Sequence, residues 1–369
     1  MTSCYKRAIP HCAGLRVLVT SCYKAAVALV LALVVIVGAG CAGGGEESPS
    51  EVVLVTHDSF VVSDAVKKAF ELESGLKLRI LQAGDAGEVV TKALLTAGNP
   101  QGDVLFGVDN TLLSRALDGD VFEPYESAAL EDVAPRYVLD QEHRVTPIDH
   151  GEVCLNYDKA WFAKRGVDPP RTLEEVTLPR YRDLLVVENP ATSTPGLAFM
   201  LATIARYGHL WQGYWRKLRA NGVLVVDGWE EAYTVRFSGA AGSSGTRPIV
   251  VSYASSPPAE VIFREPRPST APTGVVEDSC FRQIELAGVL RGARNEEGAR
   301  QLIDFMLSKR FQEDIPLAMF VFPVNRDAEL PPEFVKYAVV PENPLELAPE
   351  EIEANRDDWL REWTNVVVR

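Results

Sequence analysis

Three short segments in the middle of the chain carry side chains suited to holding a small polar ligand. They are residues 192–196 (TSTPG), 228–233 (GWEEAY) and 252–257 (SYASSP). Each is a predicted turn or helix start that offers hydroxyls, backbone amides or an aromatic face. Such groups bind anions, rings and cations. None of the three contains an activated nucleophile or a cluster of metal ligands, so the sequence favours a binding protein over an enzyme.

The sequence lacks the motifs of common enzyme classes. It contains no Gly-x-Ser-x-Gly elbow, Walker A loop, His-Glu-x-x-His helix or paired-cysteine metal site. A secreted hydrolase is therefore the alternative of another class, which a turnover screen on generic esters and phosphates would detect. A structural or adhesive surface protein is a third class, but it would show repeats or low-complexity stalks, and residues 41–369 show none beyond the short segment at 41–50. We expect no catalytic residues, no metal and no cofactor.

The elements that position these residues begin with a β-α-β-α-β pattern. Apolar strands are predicted at 52–56, 76–81 and 103–108, with helices at 64–74 and 87–97 between them. This order implies parallel strands in an open sheet covered by helices, and such sheets bind ligands at the carboxyl ends of their strands. The polar residues that follow these strands are His57, Asp58, Ser59, Asp85, Asp109 and Asn110.

Later strands predict a second lobe. Residues 147–157 read as a crossover strand, 184–188 and 249–253 as further strands, and 275–286 as a strand that crosses back before helix 296–307. A chain that crosses twice forms a hinge, with a closing cleft between lobes. The predicted divisions are 51–148 for the first part of lobe 1, 149–284 for lobe 2 and 285–369 for the return to lobe 1.

The N-terminus predicts export. Residues 1–40 hold four basic and no acidic side chains, and 25–40 is an apolar run that ends at Cys41. The run is shorter than the roughly 20 residues of a membrane-spanning helix, which favours a signal peptide. Residues 38–41 (GAGC) resemble a lipobox, so we expect lipid on Cys41, a flexible tether at 41–50, and an exported protein held at the outer face of the membrane or periplasmic.

The net charge indicates which binding partners are disfavoured, and the cysteines indicate one potential disulfide. The formal net charge is −14, which disfavours nucleic acid and anionic lipid and attracts cations. Beyond the signal segment and Cys41, only Cys154 and Cys280 remain. Both lie in predicted hinge segments, so they either pair in the oxidising exterior or stay free.

The assembled pattern resembles the thiamine-binding family of extracytoplasmic ABC-transporter receptors, which have the two-lobed α/β class 2 solute-binding fold. The resemblance covers nearly all of residues 51–369. It depends on the following segments in order: THDSF at 56–60, GVDN at 107–110, DHG at 149–151, TSTPG at 192–196, GWEEAY at 228–233, SY at 252–253, QIE at 283–285, IP at 315–316, FPV at 322–324 and WLREW at 359–363.

The resemblance implies a monomeric receptor that captures thiamine, thiamine monophosphate or thiamine diphosphate and passes it to a permease with its own ATPase. Family ligand positions fall on Asp85, Ser193, Trp229 and Tyr253, with the residue type retained. Thr194 and the amides around Gly196 lie where a helix begins, so they suit a hydroxyethyl or phosphate tail.

Three positions depart from the family pattern. The stacking tyrosine of the first loop is His57, the opposite tyrosine is Ala259, and a tryptophan near the C-terminal lobe contact is Phe320. A histidine and an alanine cannot form the same aromatic sandwich. The same fold binding ferric iron, a polyamine or a phosphonate therefore stays an alternative.

Overall fold

The computed structural model describes residues 50–369. The predicted signal peptide at 1–40, the predicted lipidation site Cys41 and the tether up to residue 49 lie outside the described residues. Within residues 50–369, no helix is both long enough and apolar enough to cross a bilayer.

The first three strands form the parallel arrangement that the sequence predicts. Strand β1 (Glu51–Thr56) lies between β2 (Lys77–Gln82) and β3 (Val104–Asp109) and pairs in parallel with both. Two connecting helices, α1 (Asp64–Ser74) and α2 (Ala86–Leu95), complete the β-α-β-α-β unit. The polar loops after β1 and β2 therefore emerge at the same edge of the sheet.

Local signals determine where these two helices begin and end. The Ser63 hydroxyl accepts a hydrogen bond from the backbone N–H of Val66, and Gly75 ends α1 in the left-handed conformation with φ 71°. Helix α2 begins one residue earlier than predicted because Asp85 occupies its N-cap position. The Asp85 side chain makes no capping hydrogen bond there, which leaves its carboxylate available to other partners.

Two long strands run through the middle of the sheet. Strands β5 (Thr146–Asp158) and β9 (Thr273–Leu290) are antiparallel partners. Strand β9 also pairs with β3, and β5 also pairs with β8 (Ile249–Tyr253), so the two long strands join the first unit to the rest. The strand order is β2-β1-β3-β9-β5-β8-β6-β7, where β6 is Leu185–Glu188 and β7 is Leu224–Val226.

The remaining elements are two short strands of the same sheet and the other helices. The short strands β4 (Phe122–Glu123) and β10 (Phe322–Pro323) pair with β9 and β5. The further helices are α3 (Leu113–Asp118), α4 (Lys159–Arg165), α5 (Leu173–Val176), α6 (Thr194–Tyr207), α7 (Trp211–Ala220), α8 (Pro257–Ile262), α9 (Glu296–Leu307), α10 (Lys309–Ala318), α11 (Pro332–Tyr337) and α12 (Pro349–Val367).

A disulfide joins the two long strands. Cys154 on β5 and Cys280 on β9 are both buried and bonded to each other, with Cα atoms 4.2 Å apart. The bond lies where the β5–β9 pairing shifts register, between Val153 and Leu155.

The predicted lobe boundaries fall within these same two strands. Asp149 and Glu285, the first residues of predicted lobe 2 and of the predicted return, lie opposite each other in the β5–β9 ladder. The division into residue ranges itself stays a prediction.

Candidate ligand-binding site

A cavity of about 490 Å³ lies at the ends of β1, β2 and β8 and beside the middle of β9. It brings together residues that are far apart in the sequence. Eight of the predicted ligand-binding residues line it, namely His57, Asp58, Ser59, Asp85, Thr194, Trp229, Tyr253 and Phe320.

Asp85 connects the first unit to the residues beyond the crossover. Its Oδ2 accepts a hydrogen bond from the backbone N–H of Trp229 at 3.2 Å. Its other oxygen is buried and lacks a hydrogen bond of normal geometry among the described residues, although the Ser193 hydroxyl is close enough to lower the pKa of the carboxyl. Burial raises the pKa of Asp85 to about 6, although the hydrogen bond from Trp229 acts in the opposite direction. At neutral pH Asp85 therefore places a negative charge with spare accepting capacity against the cavity.

An aromatic wall stands next to this carboxylate. The rings of Trp229 and Tyr233 stack with centroids 5.0 Å apart and 13° between planes. Both rings are held by hydrogen bonds, from Trp229 Nε1 to Ser252 Oγ at 3.0 Å and from the Tyr233 hydroxyl to Glu260 Oε1 at 2.8 Å. Rings fixed in this way present a rigid face for a flat or cationic ligand.

His57 lies within ion-pair distance of Glu285, which lines the same cavity. The distance from His57 Nε2 to Glu285 Oε1 is 3.4 Å, and both side chains are nearly buried. Burial by itself lowers the pKa of His57, but the adjacent carboxylate outweighs burial and raises it. Burial likewise raises the pKa of Glu285, but His57 outweighs that effect and lowers it. Each group therefore favours the charged form of the other.

Phe320 stands at the rim of the cavity in an uncommon backbone conformation. Its φ is 58°, which non-glycine residues rarely adopt. The Ser255 hydroxyl donates to the Phe320 carbonyl oxygen at 2.6 Å, and Phe263 packs edge-on with ring centroids 5.4 Å apart. These contacts hold Phe320 in place where it lines the cavity.

Two predicted site residues at the end of β3 do not line the cavity. Asp109 is fully buried, and its carboxylate accepts hydrogen bonds from Thr111 N and Oγ1 and from Gln283 Nε2. Asn110 accepts from Ile284 N at 2.9 Å and donates to Arg282 O at 3.1 Å. Both side chains therefore fasten the end of β3 to β9.

Two predicted residues at the start of α6 also lie outside the main cavity. The helix begins at Thr194, four residues before the predicted start, because Pro195 suits a first turn. Ser193 instead lines a separate cavity of about 140 Å³ with Arg115 and Arg356, while Thr194 lines both cavities. Gly196 packs against β6, since an added Cβ would lie 2.7 Å from the Glu188 carbonyl oxygen.

The structure adds residues that the sequence reasoning did not single out. Glu230, Tyr233 and Glu285 line the cavity. Each of them lies in one of the two segments, 228–233 and 283–285, that contribute to the family resemblance. Spacing alone did not show which side chains in those motifs face the ligand space.

Known proteins show what this arrangement is similar to. Residues 99–341 match the family described as bacterial extracellular solute-binding protein. The chain belongs to this family. Among its relatives in this bacterial extracellular solute-binding family are the thiamine-binding periplasmic proteins of Salmonella typhimurium and Escherichia coli K12. They are 29% and 30% identical to the chain over 322 residues, which is 86% of this chain and 94% of each relative.

Solved structures of related solute-binding proteins have the same architecture. A periplasmic thiamin binding protein is 28% identical, with a TM-score of 0.76, and the match covers 89% of this chain and 100% of that one. The protein AfuA from Actinobacillus pleuropneumoniae, solved with fructose-6-phosphate, has a TM-score of 0.70 at 17% identity over 86% of this chain and 98% of its own, which shows the fold alone. The predicted class 2 solute-binding fold and the predicted family are therefore confirmed.

Proposed function

We propose that this protein captures thiamine or one of its phosphates outside the cytoplasmic membrane and delivers it to the permease of an ABC importer. The observation that carries the proposal is the composition of the cavity. The carboxylate of Asp85 lies beside the rigid stack of Trp229 on Tyr233. This pairing of negative charge with an aromatic face suits a ligand that is both flat and cationic.

Thiamine has two rings with different needs. Its aminopyrimidine is flat and offers edge hydrogen bonds, whereas its thiazolium is a permanent cation. A ring face and a carboxylate meet these needs. The relatives named as thiamine-binding proteins support the same ligand.

The departures from the family pattern lie around this cavity. His57 and Phe320 line it where the resemblance places a tyrosine and a tryptophan. Ala259 also lines it, so one aromatic face of the family sandwich is missing on that side. In this proposal Trp229 and Tyr253 supply the aromatic contact instead.

Thr194 is the residue best placed for the ligand's tail. It lines the cavity in the first turn of α6, where backbone N–H groups are not used within the helix. A hydroxyl or a phosphate both suit such a position, so the preferred phosphorylation state must be measured.

The cellular setting completes the proposal. Cys41 carries lipid and the segment 41–50 serves as the tether, which keeps the receptor at the outer face of the membrane. The receptor works as a monomer without a cofactor, and the permease's own ATPase supplies the energy.

Isothermal titration tests the proposal directly. Protein that has been unfolded and refolded to strip carried-over ligand is titrated with thiamine, thiamine monophosphate and thiamine diphosphate. Submicromolar binding of any of the three supports the proposal, and the order of affinities gives the phosphorylation preference. No heat with all three, from protein shown to be folded, would overturn it. Competition by spermidine or colour on adding ferric ion would point to the alternative ligands.

A further inference from the structure

Glu285 is a cavity carboxylate to which neither the motifs nor the relatives' names assign a role. It lies on β9, one of the two crossover strands, and lines the cavity. Its side chain is only 9% exposed, so its charge needs a partner. That partner in the described structure is the imidazole of His57 at 3.4 Å.

His57 is held against Glu285 by close packing. Its ring lies 5.4 Å from the ring of Phe106. On the neighbouring strand Gly107 has φ 108°, and an added Cβ there would lie 2.8 Å from His57 Cδ2. The absence of a side chain at Gly107 therefore leaves room for the imidazole of His57. The imidazole lies beside the Glu285 carboxylate, where a cation would be attracted.

Asp149 supports Glu285 from the other crossover strand. The two residues are direct partners in the β5–β9 ladder. Asp149 is fully buried, and its carboxyl oxygens receive no hydrogen bond from the described residues. Burial, and then the negative charge of Glu285, raise the pKa of Asp149 well above its usual value. The neighbouring Asp149 carboxyl in turn lowers the pKa of Glu285, which favours the ionised form of Glu285.

We propose that Glu285 binds the cationic group of the ligand, and that the ligand takes the place of the His57 imidazolium as its counter-ion. This inference rests on the proposed function, since it assigns the cation of thiamine to one carboxylate. When the cation arrives, an N–H bond of the imidazolium breaks and its proton passes to solvent. Neutral His57 and the bound cation then remain beside the Glu285 carboxylate, so the charge of the cluster is unchanged.

The direction of the pH dependence follows from the groups around His57. It faces Glu285 most closely, and the carboxylates of Asp85 and Asp58 also raise its pKa. The carboxylate of Glu230 lines the same cavity and also interacts with the charge of His57. Below this raised pKa the imidazolium competes with the ligand. Above it Glu285 has lost its internal counter-ion, so affinity for a cation increases as the pH rises through the pKa of His57.

Calorimetry at pH 7 in two buffers of different ionisation enthalpy measures how many protons are released for each ligand molecule bound. We expect the full-length protein in mild detergent to release up to about one proton for each thiamine bound. Asp85 contributes little at this pH because its pKa is about 6 and it is already mostly ionised. In Glu285→Gln we expect the release to disappear and the affinity for thiamine to fall at least about tenfold, as when one partner of a buried charge pair is removed.

Two variants serve as controls. Glu126→Gln removes a carboxylate that also lies 3.5 Å from a histidine, His143, but is 71% exposed. It should leave affinity and proton release unchanged. Asp149→Asn retains a hydrogen-bond donor toward Glu285 and should still release a proton when thiamine binds. That result would show that the proton comes from His57 rather than from Asp149.

Nuclear magnetic resonance of the His57 ring gives a second readout that does not depend on any variant's folding. Its pKa should fall by about one unit or more when thiamine binds. Thiamine binding without proton release, with no change at His57, or with undiminished affinity in folded Glu285→Gln would overturn this inference and leave the proposed function standing. No binding of thiamine or its phosphates would overturn both.

Discussion

At the scale of single residues, the cavity depends on acids that are kept away from water. Asp85 and Glu285 both line the cavity, and each has its own partner, the backbone N–H of Trp229 for Asp85 and the imidazole of His57 for Glu285. Buried charges with few partners interact strongly with whatever enters. Individual substitutions should therefore change ligand choice more than they change the fold.

Asp85→Asn should separate charge from shape. The amide keeps the size and one acceptor for Trp229 N but removes the negative charge. We expect affinity for thiamine to fall at least about tenfold, and affinity for the neutral hydroxymethyl aminopyrimidine to fall by less than about threefold. Titration calorimetry with both ligands measures this, with the exposed Asp358→Asn as control. Equal losses for the two ligands would contradict a charge role.

Gly107→Ala should disturb the site through His57. The new methyl group meets both an unfavourable φ of 108° and the His57 ring at 2.8 Å. We expect the free energy of unfolding to fall by about 2–3 kcal/mol and thiamine binding to weaken. Gly98→Ala is the matched control, because Gly98 also has a positive φ of 80° but has nothing within 4 Å of the added Cβ. It should lose only about 1 kcal/mol and bind normally. Similar losses in both variants would mean that contact with His57 does not matter.

At the scale of elements, strands β5 and β9 connect the parts of the sheet and position the acids of the cavity. They connect the first parallel unit to the later strands, place Asp149 opposite Glu285, and contain the Cys154–Cys280 bond. Alternation of side chains along a strand explains why Glu285 reaches the cavity while its neighbours face elsewhere.

Removing the disulfide should weaken this connection. The bond joins residues 126 positions apart, so it restricts a long loop in the unfolded chain. In Cys154→Ala/Cys280→Ala we expect the free energy of unfolding to fall by about 2–5 kcal/mol. Urea titrations with and without reductant measure it. Reductant should destabilise the wild type and leave the double variant unchanged, and a wild type that does not respond would contradict the bond's contribution.

At the scale of the whole molecule, buried acids make stability depend on pH. Burial raises the pKa of both Asp85 and Asp109 to about 6, so the native state holds their protons more tightly than the unfolded state does. Their contribution to stability is largest below the unfolded pKa, near 3.9, and is lost as the pH rises through about 6. The contribution of Asp140 to stability has the opposite pH dependence. Burial raises its pKa, but hydrogen bonds from Arg144 outweigh burial and lower it, so its contribution is lost in acid.

The ligand-free protein should therefore lose stability between pH 4.5 and pH 6.5. We expect the free energy of unfolding to fall by roughly 1–3 kcal/mol for each raised carboxyl. Urea titrations at pH 4.5, 5.5 and 6.5 measure it. An increase over this window would contradict the burial of these acids. A saturating cationic ligand should reduce the loss, because it compensates the charges that appear.

Much of the fold could be predicted because local signals agree with it. Helix α1 has the predicted bounds, since Ser63 caps its start and Gly75 permits its end. The parallel pairing of β1, β2 and β3 follows from their alternation with helices.

The residues of the site were less predictable than the fold. Asp85 and Asp109 both follow strands, yet only Asp85 lines the cavity, because Gln283 and Thr111 occupy the carboxylate of Asp109.

The sequence by itself determined the order of the first three strands and the two helices between them, and the edge of the sheet where their polar loops gather. These features depend on hydrophobic periodicity and on capping and turn residues, which act over a few positions. Only the tertiary structure decided which polar side chains share the cavity. Glu285 meets His57 across more than 200 residues of chain because two crossover strands bring them together, and a shift of one residue in β9 would turn Glu285 to the other face of the sheet.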